Sequence, residues 1–233
     1  KLAALRFIEW VADNPEGVIS LPTGKTPEYF IEWVKRILAQ WDTAEGKEMR
    51  ESYGLHLEKR PSLSGLHFVQ IDEFYPISPD QHNSFYNYVQ KYYINGFGLD
   101  PNKGLFINSN DIPLADGKSY NEVFADGIID LGLRYREPKN KIEELKQRSI
   151  FMIDDWCAEY EEKIRNMGGI GFFLGGIGPD GHIAFNTKGS DPHSTTRLTY
   201  TNFETQAAAA GDLGGIEISR HKPVITIGLD TIT

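Results

Sequence analysis

Cysteine and long apolar runs are both scarce in this 233-residue sequence. The single cysteine, Cys157, excludes an intramolecular disulfide framework and a zinc site built from several cysteines. No apolar run approaches the roughly 20 residues that a membrane-spanning helix requires. The N-terminal segment KLAALRFIEW carries charges throughout and lacks the apolar centre of a signal peptide. These absences predict a reduced, cytoplasmic protein without a membrane partner.

Basic residues are fewer than acidic residues in this sequence. The sequence has 24 Lys and Arg against 33 Asp and Glu, which gives a formal net charge of −9. Because nucleic acids and anionic membranes are bound through basic surfaces, this balance argues against both partners. Hydrophobic residues make up 40% of the chain, which is ordinary for a folded protein, and the length fits one large domain or two small ones.

Short apolar segments alternate with helical patterns along the chain. Strands are predicted at 17–22, 67–71, 170–174 and 223–229. Helices are predicted at 2–12 and at 150–167. Two further helices are predicted, one that begins at the capping residue Thr26 and one that runs from Ser84 to about Ile94, where Gly96 ends it. This alternation implies an α/β fold with a mainly parallel sheet and helices on both faces. The segment 107–148 is irregular and charged, as is typical of a long surface excursion.

Three predicted strands end in loops that are rich in polar residues. The loops are 22–26 (PTGKT), the pair Asp72 and Glu73, and 176–182 (GIGPDGH). The carboxyl ends of parallel strands meet at one edge of a sheet, where α/β proteins bind their ligands. We therefore expect the three loops to converge on one pocket.

The first loop is suited to a phosphate group. It runs into a helix N-terminus, where free N–H groups, the helix dipole and the hydroxyls of Thr23 and Thr26 favour an anion, and Lys25 adds a positive charge. A nucleotide P-loop needs a glycine where Ile19 stands, and this loop is too short to wrap a polyphosphate. The loop predicts a monophosphate site, with a plain strand-to-helix turn as the alternative.

The third loop combines glycines with an acid and an imidazole. Its glycines match G-x-G-x-x-G, but Pro179 and Asp180 interrupt the turn that a dinucleotide would need. Asp180 stands two residues before His182, where a carboxylate can orient an imidazole and increase its basicity. His182 has no His or Cys partner at ligand spacing, so no metal site is predicted, although the acids stay open as magnesium ligands.

Four segments resemble the glucosamine-6-phosphate deaminase/isomerase family. They are LPTGKTP (21–27), IDEFYPISP (71–79), NSFYNYV (83–89) and GGIGPDGHIAFN (175–186). The resemblance covers about 17–110 and 150–233, and it implies a Rossmann-like three-layer sandwich that forms a single domain over 1–233. The segment 111–149 has no counterpart in short family members, so we expect an insertion in a divergent, longer branch. We also expect the natural chain to continue beyond Thr233.

The resemblance implies a reaction and roles for individual residues. The reaction converts glucosamine 6-phosphate and water to fructose 6-phosphate and ammonia without a cofactor, and such enzymes are usually homo-oligomers. Asp72 would move a proton between C2 and C1, while His182, assisted by Asp180, would open the sugar ring. The residues expected to bind the substrate are Thr23, Gly24, Lys25, Thr26, Glu73, Gly176 and Ala184. Because an exposed aspartate is a weak base, we predict that burial raises the pKa of Asp72.

Three positions depart from the family pattern. Lys25 stands where the family usually has a second glycine, and Thr187 stands where it has a glutamate that tunes ring opening. The family's phosphate-binding arginine has no clear counterpart, because the aligned region is the alanine-rich segment 207–211. These departures support an alternative, a sugar-phosphate-binding module without catalysis. The presence of Asp72, Asp180 and His182 opposes that alternative.

Two enzymes with related chemistry are further alternatives. The 6-phosphogluconolactonases share the fold and the Asp-Gly-His turn, but they typically have an arginine after the Asp-Glu pair and Ser-Leu-Phe after the histidine. Here Phe74 follows the pair and Ile183 follows His182, which favours the amino-sugar enzyme. An aldose–ketose isomerase for a related amino-sugar phosphate also stays open.

Overall fold

A computed structural model describes residues 1–178, 180–213, 215, 219 and 222–233, without the side chains of 208, 209 and 211–213. Its main sheet has four parallel strands in the order β4-β2-β1-β5. These strands are β1 (Val18–Ser20), β2 (His67–Val69), β4 (Gly104–Leu105) and β5 (Phe172–Phe173). The parallel pairing confirms the fold class expected from the alternating sequence pattern.

A second, smaller sheet is antiparallel, which the sequence pattern does not predict. Its strands are ordered β3-β7-β6, with β3 at Asp72–Phe74, β6 at Arg197–Thr199 and β7 at Val224–Thr226. The prediction that Asp72 and Glu73 lie in a loop is therefore wrong, because both residues pair with β7. This pairing fixes the backbone that carries the Asp72 side chain.

Helices cover both faces of the main sheet. One face packs on α1 (Leu2–Asp13) and α2 (Glu28–Ala39), and the other packs on α7 (Lys141–Asn166). The alternation of side chains along the strands produces this division. Ile19 of β1 belongs to the first core cluster, and its neighbour Val18 belongs to the second.

Shorter helices complete the architecture. They are α3 (Ala44–Ser52), α4 (Phe85–Val89), α5 (Asn95–Phe97), α6 (Tyr120–Val123), α8 (Phe203–Leu213) and α9 (Leu229–Ile232). A π-helical turn at Gln90–Ile94 joins α4 to α5. The Ser84 side chain caps α4 as predicted, but the helical segment ends at Gly98, which has a φ of 69°, and not at Gly96.

Two other helix boundaries differ from the prediction. The N-cap of α2 is Pro27 and makes no side-chain capping hydrogen bond, so Thr26 does not cap the helix as expected. The helix α7 begins at Lys141 and not at residue 150, because the Asn140 side chain accepts hydrogen bonds from the N–H groups of Ile142 and Glu143. The first two turns of α7 are rich in charged residues, which conceals their helical pattern in the sequence.

The segment between β4 and α7 contains four short helical turns joined by irregular chain. It contributes apolar side chains to the core beneath α7, namely Ile107, Ile112, Leu114, Val123, Phe124, Ile129, Leu131 and Leu133. The segment is therefore packed against the rest of the chain, while its status as an insertion stays a prediction. Across the described part of the chain, no helix is both long and apolar enough to cross a membrane.

Candidate active site

A cavity of about 230 Å³ lies where the first and third loops meet β3. Pro22, Thr23 and Thr26 line it from the first loop, and Ile71 and Asp72 line it from the start of β3. The residues that line the rest of the cavity are Phe85, Gly175, Gly176, Ile177, Gly178, His182, Ala184 and Phe185. Three segments that are distant in the sequence thus share one pocket, at the edge of the sheet where the parallel arrangement predicts it.

The first loop presents unpaired backbone donors. The N–H groups of Gly24, Lys25 and Thr26 donate no hydrogen bond to any described residue. Gly24 has a φ of 82°, a left-handed conformation that favours glycine. The buried Tyr93 hydroxyl donates to the Pro22 carbonyl at 2.5 Å and holds the start of the loop. With α2 beginning directly behind it, this loop can accept an anion.

Asp72 is a buried carboxyl group at the wall of the cavity. It is 9% exposed, and its side chain accepts no hydrogen bond from any described residue. Burial raises the pKa of Asp72 to about 8, and the neighbouring charge of Glu73 adds to the increase. The predicted direction of the pKa shift is confirmed. A carboxyl group with such a pKa can both accept and return a proton near neutral pH.

Glu73 points away from the cavity because successive side chains of a strand face opposite sides. Its carboxylate accepts hydrogen bonds from the Ser84 hydroxyl and the Tyr86 N–H, each at 2.8 Å, and from the Phe74 N–H at 3.0 Å. Burial still raises its pKa, to about 7, against the opposing effect of these hydrogen bonds. The geometry gives Glu73 a clear structural task, which is to hold α4 against β3.

The third loop folds into a tight turn that carries His182. The Gly178 N–H donates to the His182 carbonyl, and the Gly181 N–H donates to the Gly178 carbonyl, both at 2.9 Å. A Cβ atom at Gly178 would lie 2.1 Å from Cε1 of the His182 ring, so only glycine leaves room for the imidazole. Pro179, within this loop, lies outside the described residues.

Asp180 and His182 form a close pair. The His182 Nδ1 lies 2.5 Å from Oδ1 of Asp180. Burial acts to raise the pKa of Asp180, but hydrogen bonds from His182 and Asn202 outweigh it and lower that pKa. An ionised carboxylate can only accept hydrogen bonds, so the proton lies on Nδ1 and Nε2 is left as an acceptor. This pairing orients the imidazole as a proton carrier.

Two residues near the start of α8 support the Asp180–His182 pair, and sequence reasoning missed both. The Asn202 amide donates to Oδ2 of Asp180, and its Oδ1 accepts from the Thr205 N–H at 3.1 Å. The Thr205 hydroxyl lies 3.3 Å from the His182 Nδ1. These residues follow His182 by 20 or more positions and carry no recognisable motif, so only the fold reveals them.

The residues after His182 fasten the loop to β7. The Thr226 hydroxyl accepts from the Phe185 N–H at 3.1 Å, and the Asn186 amide donates to the Ile227 carbonyl at 2.9 Å. Ala184 has a φ of 52°, which is unusual for a residue other than glycine and places it on the cavity wall. The loop is thus fixed to the second sheet, the sheet that carries Asp72.

The structure brings together most of the residues singled out from the sequence. Those on the cavity wall are Thr23, Thr26, Asp72, Gly176, His182 and Ala184. Asp180 does not line the cavity but contacts Nδ1 of His182. Gly24, Lys25 and Glu73 do not line the cavity either. The segment 207–211 is the region that aligns with the family's phosphate-binding arginine. The structure does not describe its side chains at 208, 209 and 211. No group of three or more His, Cys, Asp or Glu among the described residues is placed to hold a metal ion.

Curated proteins with known names are similar in sequence to part of this chain. A glucosamine-6-phosphate deaminase of Caenorhabditis elegans is 47% identical over 76 residues, or 33% of this chain and 28% of that protein. One of Bacteroides thetaiotaomicron is 44% identical over 80 residues, or 34% of this chain and 30% of that protein. About a third of this chain is therefore similar in sequence to glucosamine-6-phosphate deaminases. The aligned segment spans less than a third of each curated deaminase, and no family model matches the chain.

Solved structures extend the similarity of fold to nearly the whole chain. A glucosamine-6-phosphate deaminase described as monomeric aligns with a TM-score of 0.64 at 22% identity, covering 99% of this chain and 72% of that one. A 6-phosphogluconolactonase of Leishmania guyanensis aligns with a TM-score of 0.50 at 15% identity, covering 98% and 73%. At these identities the alignments show a shared α/β fold.

Proposed function

We propose that this chain carries the active site of a glucosamine-6-phosphate deaminase, which converts glucosamine 6-phosphate and water to fructose 6-phosphate and ammonia. The observation that carries the proposal is that Asp72, His182 and the first loop, through Thr23 and Thr26, line one cavity. The cavity volume of about 230 Å³ is below the range of about 300–1,000 Å³ that is usual for drug-sized ligands, so it favours a small sugar over a dinucleotide.

The phosphate group would bind at the first loop. Thr23 and Thr26, which line the cavity, carry hydroxyl donors, and the free N–H groups of Gly24, Lys25 and Thr26 are further donors on the same loop. The exposed Lys25 adds a charge beside them. Holding the phosphate at one end orients the sugar, so that its ring reaches the third loop and β3.

Ring opening would be the task of His182. The closed hemiacetal opens when a base takes the proton of the C1 hydroxyl and an acid protonates the ring oxygen. The free Nε2 of His182 can accept the first proton and deliver it to the ring oxygen, while Asp180 stabilises the imidazolium in between. This step produces the open-chain amino aldehyde.

Asp72 would then isomerise the open chain. Its carboxylate removes the proton from C2, which lies next to the C1 aldehyde, while the C1 oxygen takes a proton from the substrate's own ammonium group. The product is an enolamine with a C1–C2 double bond, a C1 hydroxyl and a neutral amine at C2. Return of the same proton to C1 leaves an iminium at C2. Water adds to C2, and ammonia leaves as the C2 carbonyl of fructose 6-phosphate forms. The absence of a competing hydrogen bond to Asp72 from described residues leaves its oxygens available to the substrate.

The decisive assay measures ammonia and fructose 6-phosphate from glucosamine 6-phosphate with the purified protein. Wild-type protein should release both products in equal amounts, and Asp72→Asn should reduce the rate by about 1,000-fold or more because the proton acceptor is gone. For His182→Ala we expect a large loss of turnover with a smaller loss of substrate binding. Binding without ammonia release above the Asp72→Asn background would favour a non-catalytic sensor.

The alternative enzymes give different products in the same experiment. Hydrolysis of 6-phosphogluconolactone without ammonia release would indicate a lactonase. Interconversion of an aldose and a ketose with retention of the amino group would indicate an isomerase. The substrate class that we propose is a phosphorylated amino sugar, and we further propose a cytoplasmic location and a homo-oligomeric state for the enzyme.

A further inference from the structure

A second cavity, of about 710 Å³, lies away from the candidate active site. It is lined by the segment 41–43 that follows α2, by α3 and by the segment 55–58. Thr26, just before α2, lines the candidate active site, whereas Trp41, just after α2, lines the second cavity. A 12-residue helix is about 18 Å long, so the two cavities are at opposite ends of α2.

The wall of this cavity contains a buried arginine without an ionic partner. Arg50 is 4% exposed, and its guanidinium makes neither a hydrogen bond nor an ion pair with any described residue. Its Nη1 is fully enclosed and has no acceptor among the described residues. Burial lowers the pKa of Arg50, against the opposing charges of Asp42 and Glu51. A buried cation whose Nη1 has no acceptor among the described residues is costly unless a ligand or water satisfies it.

Trp41 holds the guanidinium in place and has an unused donor of its own. The Arg50 Cζ lies 3.8 Å from the centroid of the Trp41 ring, which is a close cation–π contact. The indole Nε1 of Trp41 is buried and has no hydrogen-bond partner in the described structure. The close packing of α3 on the end of α2 depends on Gly46, where a Cβ atom would lie 1.9 Å from the Gln40 carbonyl oxygen.

The other charges on the wall limit what can bind. Lys47 pairs with Glu51 at 3.8 Å, and Asp42 and Glu58 also line the cavity. Two cations and three carboxylates therefore face the space, with His56 as a further polar group. The planar guanidinium fork matches a carboxylate and a phosphate alike, but the acids would repel a phosphate dianion more strongly than a single carboxylate.

We propose that the cavity beside Trp41 and Arg50 is a binding site for a small molecule with one carboxylate group. The carboxylate oxygens would face Nε and Nη2 of the Arg50 guanidinium from the cavity side, because Nη1 is fully enclosed. Ammonium or hydroxyl groups elsewhere on the ligand could donate to Asp42 or Glu58. The site is independent of the proposed deaminase chemistry, because none of its residues lines the first cavity.

NMR of the tryptophan indole groups tests the proposal directly. Full-length protein labelled at the indole nitrogen is titrated at constant ionic strength with sodium acetate, sodium phosphate or sodium chloride, and Trp41→Phe assigns the Trp41 signal. We expect acetate to shift the Trp41 signal in a saturable way with a millimolar dissociation constant, and phosphate and chloride to cause no saturable shift. A missing acetate response, or equal or stronger saturation by phosphate or chloride, would overturn the proposal.

Two variants locate the effect. Arg50→Lys keeps the charge but removes the fork, so acetate affinity should fall by about tenfold or more. Asp42→Asn removes a repelling charge from the wall, and acetate affinity should rise by about threefold. Unchanged affinity in either folded variant contradicts the proposed site. If Arg50→Lys does not fold, as judged by its circular dichroism, the Asp42→Asn comparison decides alone.

Discussion

Asp72 combines properties that a folded protein normally avoids in one side chain. It is buried, it stands next to a second buried acid, and it accepts no hydrogen bond from any described group. Burial and the charge of Glu73 penalise the ionised carboxylate and raise the pKa of Asp72, and no hydrogen bond from a described group opposes them. Such an arrangement costs stability, and it makes sense at a position where a proton must be taken and returned.

The cost can be measured through the pH dependence of stability. The pKa of Asp72 is raised on folding from 3.8 to about 8, so the folded state holds an extra proton between these values and its stability falls as pH rises. Asp72→Asn removes this loss, and its free energy of unfolding should exceed that of the wild type by about 1–3 kcal/mol at pH 8. Urea unfolding at several pH values measures the difference, which should shrink toward pH 4.

Asp80→Asn is the matched control because Asp80 is exposed. This variant should follow the wild-type stability at every pH. If Asp72→Asn does the same, the carboxyl group of Asp72 is not held in a costly environment, and the basis for its role as a proton carrier is lost.

Glu73 should influence the reaction through the pKa of Asp72 without contacting the substrate. Glu73→Gln removes the repulsion between the two carboxylates, so the pKa of Asp72 should fall. The rising limb of the plot of kcat/KM against pH should therefore shift to lower pH, by about half a pH unit or more. Substrate ionisation is common to both proteins and cancels in the comparison. An unshifted limb would show that the Glu73 charge does not act on Asp72.

At the scale of elements, the glycine-rich turn of the third loop determines where the imidazole lies. Gly178→Ala would force its Cβ against the His182 ring, which is held by Asp180 and lies against Phe185. We expect kcat/KM for ammonia release to fall by about 10–100-fold, because a displaced imidazole is a poor proton carrier. Thermal unfolding should show that the domain remains folded.

A double mutant separates this steric effect from other causes. In a His182→Ala background the ring is absent, so adding Gly178→Ala should cost little further activity. A second loss as large as the first would mean that Gly178 acts on something other than His182, such as the backbone of the turn.

The elements also show what the sequence can and cannot predict. The apolar segment around Ile19 and the stripe of α2 follow simple periodic patterns, and both are present in the structure. Periodicity does not reveal β3, because its first two residues are acids and resemble a loop. The beginning of α7 is concealed in the same way, because the segment 141–148 is charged and its capping residue, Asn140, follows a series of short turns.

At the scale of the whole molecule, the site depends on both sheets. The parallel sheet places the first and third loops at one edge, which the sequence predicts from the alternation of strands and helices. The antiparallel sheet brings Asp72 to the same place through its pairing with β7. Thr226, also on β7, holds the loop that carries His182.

The supporting residues of the site could not be predicted in this way. Asn202 and Thr205 reach Asp180 and His182 only because α8 begins beside the third loop. Their side chains are common in helix caps, so their types alone indicate no chemistry. The same holds for the unpartnered Arg50, whose isolation among the described residues is a property of packing and has no signal in the sequence.

In the proposed site one small sugar phosphate spans the first loop, Asp72 and His182. A crystal structure of the protein with a non-reacting, open-chain analogue of glucosamine 6-phosphate tests this arrangement. We expect the phosphate on the N–H groups of residues 24–26, with C1 and C2 beside the Asp72 carboxylate and His182 within reach of the oxygen that closes the ring. A phosphate bound elsewhere, or an analogue whose C2 is out of reach of Asp72, would contradict it.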